Sequence, residues 1–185
     1  MLIGSALLLC ILSVPLLGGT LSELGALEFR KAWLAVGALL VQVLIISLLP
    51  SGGGRFGEEL HLATYGLLGA FLVINRHVPG LLVIAAGGAL NFAAIATNGG
   101  VMPADPDAIE AAGLAHDAGF ANSAAAEGAP LWFLGDLFHT PGWLPVHNVF
   151  SVGDVVLVLG AFLLLHRVCG TPLGRLPGRV RPAEA

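Results

Sequence analysis

Apolar residues in this chain run in long stretches separated by short breaks, without the alternation of a half-buried strand. Five stretches, at about 2–17, 32–49, 59–75, 80–97 and 149–168, have the roughly 17–25-residue length of a helix that crosses a bilayer. The first is the shortest and carries Pro15. Pro50, Ser51 and three glycines close the second, and Pro79-Gly80 separates the third from the fourth. Asn98-Gly99-Gly100 closes the fourth as a left-handed C-cap. The pattern predicts an all-α fold, a polytopic membrane helix bundle of about five transmembrane helices with a long external loop over 98–148 between helices four and five. Residues 1–170 form a single membrane domain and 171–185 a cytoplasmic tail. Gly66 with Ala70 in the third helix, and Gly87-Gly88 in the fourth, predict close approach of neighbouring helices.

Basic residues orient this bundle. Arg30 and Lys31 lie between helices one and two, Arg76 between three and four, and Arg167, Arg175, Arg179 and Arg181 at and beyond the end of helix five. Arg55 alone falls on the other side. Positive charge stays on the cytoplasmic side, so the N-terminus is expected outside and the C-terminus inside. The external segment then carries Asp105, Asp107, Glu110, Asp117, Glu127 and Asp136 and no Lys or Arg. Its first part, "DPDAIEAAGLAHDAGFANSAAAEGA", is alanine-rich and partly helical, with Asp105 at an N-cap and Pro106 at the first helical position. Its second part, "LWFLGDLFHTPGWLPVH", mixes Trp132, Phe133, Phe138 and Trp143 with Pro and Gly. Aromatics of this kind belong at the membrane–water interface.

Composition agrees with the pattern. The 185 residues are 56% hydrophobic and 11% charged, with mean hydropathy +0.89, where a soluble domain is about 25% charged. A net charge of −4 without a basic patch excludes nucleic acid as a partner. Cys10 and Cys169 form no CxxC or zinc spacing and read as buried apolar thiols. The first apolar run has no Lys or Arg before it, so it is kept as a membrane segment and not a cleaved signal. "SGGGRFG" has neither a preceding strand nor a following Lys-Ser/Thr, so it reads as a hinge and no cofactor is expected.

The candidate chemistry lies in two carboxylates, Asp136 and Asp154. "SVGD" fits a capping box, with Ser151 as N-cap and Asp154 three residues on, and Gly135-Asp136 is ordinary turn chemistry. In the other reading the two carboxyl groups come together and share a proton. One then serves as base toward a water and the other as acid, which would hydrolyse a peptide bond at the outer surface. Asn91 and Asn98, seven apart on one face of helix four, point toward the level of Asp154. With Ser151, Trp132 and Trp143 they are the candidate substrate-binding residues. His139, His147 and Asp136 could surround a metal, but no HExxH-type spacing exists and none is expected. Gln42, Tyr65 and Asn75 are isolated polar residues within the apolar stretches.

"LNFAAIATNGGVMP", "LWFLGD" and "NVFSVGDVVLVLG" resemble an uncharacterised bacterial membrane family, domain-of-unknown-function family 5317. That resemblance implies a membrane fold in the bacterial cytoplasmic membrane and no particular activity. The C-terminal half also resembles, more distantly, lipoprotein signal peptidase (signal peptidase II), an aspartyl peptidase. Gly87, Gly88 and Asn91 match its Gly-Gly-Ala…Asn motif, Asp136 its first catalytic Asp, and Phe150, Ser151, Gly153 and Asp154 the motif opening its last helix. Ser151 replaces that family's Asn, Phe-Ala-Ala follows Asn91 in place of an Asp-Arg pair, and the substrate-cradle motif of its first half is missing. The resemblance implies an aspartyl-type hydrolase acting at the outer leaflet, with membrane lipids and a membrane-anchored peptide or lipoprotein as partners. The alternative is a non-enzymatic membrane protein that binds a lipid, small molecule or partner protein through the external loop.

Overall fold

The computed structural model describes residues 2–48, 54–114, 123–125 and 128–174. The break after the second stretch, His116, Asp117, Glu127 and most of the 171–185 tail lie outside the described residues.

Each of the five apolar stretches is a helix: α1 (Leu2–Leu16), α2 (Trp33–Leu48), α3 (Gly54–Ile74), α4 (Leu81–Thr97) and α6 (Val152–Val168). A short α5 (Pro106–Ala111) lies in the segment between α4 and α6. The chain is therefore mostly helical. Among the described residues no helix is long and apolar enough to cross a membrane. α1, α2, α4 and α6 have 15, 16, 17 and 17 residues, short of the usual span of about 20. α3 has 21 residues, but Glu58, Glu59 and His61 fall in its first half.

The described parts of 98–148 hold strands as well as loop. β1 (Met102–Ala104), β2 (Ser123–Ala125), β3 (Asp136–His139) and β4 (Val149–Ser151) form a sheet in the order β2-β1-β3-β4. β1 runs parallel to both β2 and β3, and β3 pairs antiparallel with β4. β4 runs directly into α6, so the start of that helix is fixed to the sheet. Asp105 is the N-cap of α5 with Pro106 beside it, as the sequence predicts, but its side chain makes no cap hydrogen bond.

α4 and α6 pack closest, antiparallel, along glycines seven residues apart. A Cβ at Gly80 would meet Gly160 O and Leu164 Cβ, and one at Gly87 would meet Gly153 O and Leu157 N at 2.7 Å. Of the close approaches expected from the sequence, Gly87 is in this contact. Gly88 faces open space, and Gly66 and Ala70 on α3 are exposed with nothing against Gly66. Small residues permit approach without causing it, and the neighbours of α3 lie on its other faces.

α1 is held to α6 by an apolar cluster of Cys10, Val14, Leu165 and Cys169. A buried polar set extends it. Ser13 Oγ lies 3.1 Å from His166 Nε2, and Thr171 Oγ1 lies 2.8 Å from His166 Nδ1. Both cysteines are free and buried, in line with the sequence reading. Burial, with Glu23 beside it, pushes the Cys169 thiol up, which keeps it neutral at ordinary pH.

Asn75 is completely buried and clamps the turn before α2. Its Nδ2 donates to Arg30 O at 2.9 Å and Phe71 O at 2.8 Å, and its Oδ1 accepts from Arg30 N at 2.7 Å. Replacing it with leucine leaves main-chain groups unpaired, so Asn75→Leu is expected to lower stability by about 1–3 kcal/mol. Thermal unfolding of the purified protein measures this. An unchanged melting point would mean that water replaces the clamp.

Candidate functional site

Strand pairing brings the two halves of the site together. Asp136 opens β3 between β1 and β4, with Ala104 as its partner on one side and Ser151 on the other. Its backbone carbonyl accepts from Asp105 N at 3.0 Å. The preceding Gly135 lies so close to Pro103 O that no Cβ would fit there. Asp136 is 6% exposed, an unusual setting for a carboxylate.

Directly opposed residues on an antiparallel pair share a face of the sheet, with Cα atoms about 4.5–5.5 Å apart. Asp136 and Ser151 are such a pair, and so are Phe138 and Phe150, whose rings stack at 5.5 Å. The two pairs are two positions apart on β3 and one apart on β4, so Leu137 is a bulge. Phe150 and Ser151 face opposite ways on a regular β4. Without the bulge, Asp136 and Phe138 would share one face, and Asp136 could not match Ser151 while Phe138 matched Phe150. Bulges re-aim side chains in this manner.

Ser151 is fully buried and is the N-cap of α6. Its Oγ accepts from Asp154 N at 3.0 Å, and Asp154 Oδ2 accepts from Ser151 N at 3.1 Å. The capping box foreseen in "SVGD" is present. Asn91 on α4 closes the set: Ser151 Oγ donates to Asn91 Oδ1 at 2.9 Å, and Asn91 Nδ2 donates to Asp154 Oδ1 at 2.7 Å. Asn91 lies over Gly153, where a Cβ would collide with its amide. Each oxygen of Asp154 thus accepts one internal hydrogen bond and keeps acceptor capacity for a ligand or water.

Tyr65 is a member of this neighbourhood that the sequence-based site omits. It packs against Phe92, the neighbour of Asn91, at 5.3 Å and stands edge-on to His61 at 5.3 Å. Its one sequence signal is polarity inside an apolar stretch. Behind it Gln42 Nε2 donates to Thr64 Oγ1 at 2.6 Å and lies 2.8 Å from His61 Nδ1.

The remaining expected residues lie elsewhere. Asn98 is the C-cap of α4, and its Nδ2 donates to Ala94 O at 2.7 Å and Pro130 O at 2.8 Å, tethering the segment between α4 and α6. Trp132 lines a separate cavity beside β1. Trp143 is 80% exposed on the turn between β3 and β4. His139 and His147 lie by main-chain carbonyls of Thr140 and Ala112. Among the described residues no three metal-ligating side chains come together.

The arrangement offers a buried Asp136 on a strand and, on the adjoining helix turn, a second carboxylate hydrogen-bonded to Asn91 and to Ser151, the register partner of Asp136. A model of the family of unknown function DUF5317 matches residues 26–166, which contain every one of these groups. An uncharacterised protein from Thermotoga maritima is 31% identical over 121 residues, covering 64% of this chain and 67% of that protein. No solved structure matches.

Proposed function

The chain belongs to DUF5317, a family of unknown function, so its chemistry has to come from the site itself, and we propose a multi-pass bacterial cytoplasmic-membrane protein whose outward site is an aspartyl-type hydrolase centre. The observation that carries the chemistry is the pairing of Asp136 with Ser151, the N-cap that binds Asp154. In this reading Asp136 and Asp154 exchange the roles of base toward a water and acid toward the leaving group. Asn91 and Ser151 fix the carboxylate, and the substrate is a membrane-embedded peptide or lipoprotein.

Surface chemistry supports the membrane setting. Large apolar side chains stand exposed along α1 and α2, among them Leu9, Leu12, Leu16, Leu39, Leu40 and Val43. A surface this apolar is stable against lipid and not against water. Helices of 15–17 residues suit a locally thinned bilayer with flanking residues reaching the interface. Trp132, Phe133, Phe138 and Trp143 are exposed on the sheet side. Arg30, Lys31, Arg76 and Arg167 are exposed toward the opposite end, where Asn75 binds Arg30 and Thr20 N donates to Cys169 O. That charge distribution favours an outside N-terminus and a cytoplasmic C-terminus.

The test compares protein termini in membranes of cells that make the wild-type chain or the Asp136→Asn/Asp154→Asn double variant, by mass spectrometry. The expected result is a set of new termini near the outward ends of membrane segments, present only with the wild type. Identical sets in both cells reject a hydrolase. A second reading, a non-enzymatic binding protein, is favoured by the cavity under Trp132. It predicts that removing 104–130 abolishes function while the double variant retains it.

A further inference from the structure

We propose that the cavity beside β1 binds the ammonium group of a cationic ligand. The proposal does not depend on the hydrolase reading: the cavity lies beside the carboxylate pair and is built from β1, the start of α5, Trp132 and Leu137 of β3. Its volume is about 200 Å³, and its wall includes Asp105, Trp132, Pro103, Pro106 and Leu137. Ligand pockets for whole small molecules are larger, about 300–1,000 Å³. The space suits a head group, with the rest of the ligand outside.

The lining selects charge. Among the described residues that line the wall, Asp105 is the only ionisable side chain. It occupies an N-cap position but makes no cap hydrogen bond, and Pro106 at the first helical position has no N–H to offer. Its carboxylate is not used by the helix. The rest of the wall is an indole, two proline rings, a leucine, Ala104 and Gly128. One carboxylate with an aromatic ring and apolar walls favours a cation that carries its own apolar surface, such as an ammonium. A hydrated sodium ion or an anion gains nothing from such walls.

The wider charge pattern agrees. Residues 98–148 contain six carboxylates and no Lys or Arg, so no Lys or Arg of that segment competes for Asp105. A segment of one sign also concentrates cations from solution. The indole is set before a ligand arrives. Asn98 tethers Pro130, Leu131 holds the left-handed conformation at φ 53°, and Phe133 stands edge-on to Trp132 at 6.3 Å. Presetting of this kind reduces the ordering cost of binding.

The ammonium could come from a phospholipid head group or from a soluble amine, and one experiment separates them. The full chain is titrated in detergent with tetramethylammonium, ethanolamine and, as control, sodium, using calorimetry. Both amines are expected to bind in the millimolar range and sodium not at all. Asp105→Asn and Trp132→Leu are each expected to weaken binding by about tenfold or more, with melting points retained. The titration is repeated in nanodiscs. If phosphatidylethanolamine discs suppress amine binding and phosphatidylglycerol discs do not, the lipid is the ligand. If both discs leave it intact, the ligand is soluble. No binding by either amine, or full binding by both variants, overturns the proposal.

Discussion

Asp136→Asn is expected to slow the hydrolysis proposed for the outward site by about 10²–10⁴-fold, while folding stability stays within about 1 kcal/mol of wild type. The amide has the shape of the carboxyl and can still accept a hydrogen bond, but it cannot take up or release the proton. Asp154→Asn separates two roles. It should cost a similar factor in rate and, in addition, about 0.5–2 kcal/mol of stability. One of its two oxygens becomes an amide nitrogen, so one of the bonds from Ser151 N and Asn91 Nδ2 is lost. The rate is read on a peptide found by the terminus comparison, and stability by thermal unfolding in detergent. If Asp154→Asn moves only stability and Asp136→Asn moves neither, the carboxylates cap and pair, and the chemistry lies elsewhere.

Gly153→Ala is expected to be among the most damaging single-methyl changes in the chain, costing about 1–3 kcal/mol. The added methyl would meet Asn91 Cγ at 2.6 Å and Gly87 O at 2.9 Å. Neither can retreat easily. Gly87 O is main chain on α4, and the Asn91 amide is held at 2.9 Å by Ser151 and at 2.7 Å by Asp154. The same substitution at Gly88, where nothing lies within 4 Å, serves as control. There alanine should gain up to about 1 kcal/mol by restricting the unfolded chain. Equal melting points for the two variants would mean that α4 and α6 do not depend on glycine contact.

Apolar length made the helices legible. Predicted stretches and observed helices differ by a residue or two at most ends. α3 starts at Gly54 and not near 59, because its first turns are polar and a hydropathy pattern misses them. α6 starts at Val152, since Val149–Ser151 are a strand. The sheet was not legible. Its strands have three or four residues, β1 is buried at every position, and no period of two can develop. The Ser151–Asp154 box was visible because both partners are local in sequence. The pairing of Asp136 with Ser151 was not, because it depends on strand register and on a bulge at Leu137. Tyr65 was hidden for a similar reason: it reaches the site from α3, far from the motifs.

The attachment of α1 to α6 has a consequence for biosynthesis. Ser13 and His166 are 153 residues apart. At about 5–20 residues per second, the ribosome needs roughly 8–30 s to deliver the second after the first. During that interval the inward face of α1, with Cys10 and Val14, has no Leu165 or Cys169 to pack against. The α1 seam is thus completed only by α6, and a nascent chain released before residue 166 exposes it unfinished to the cell's proteases.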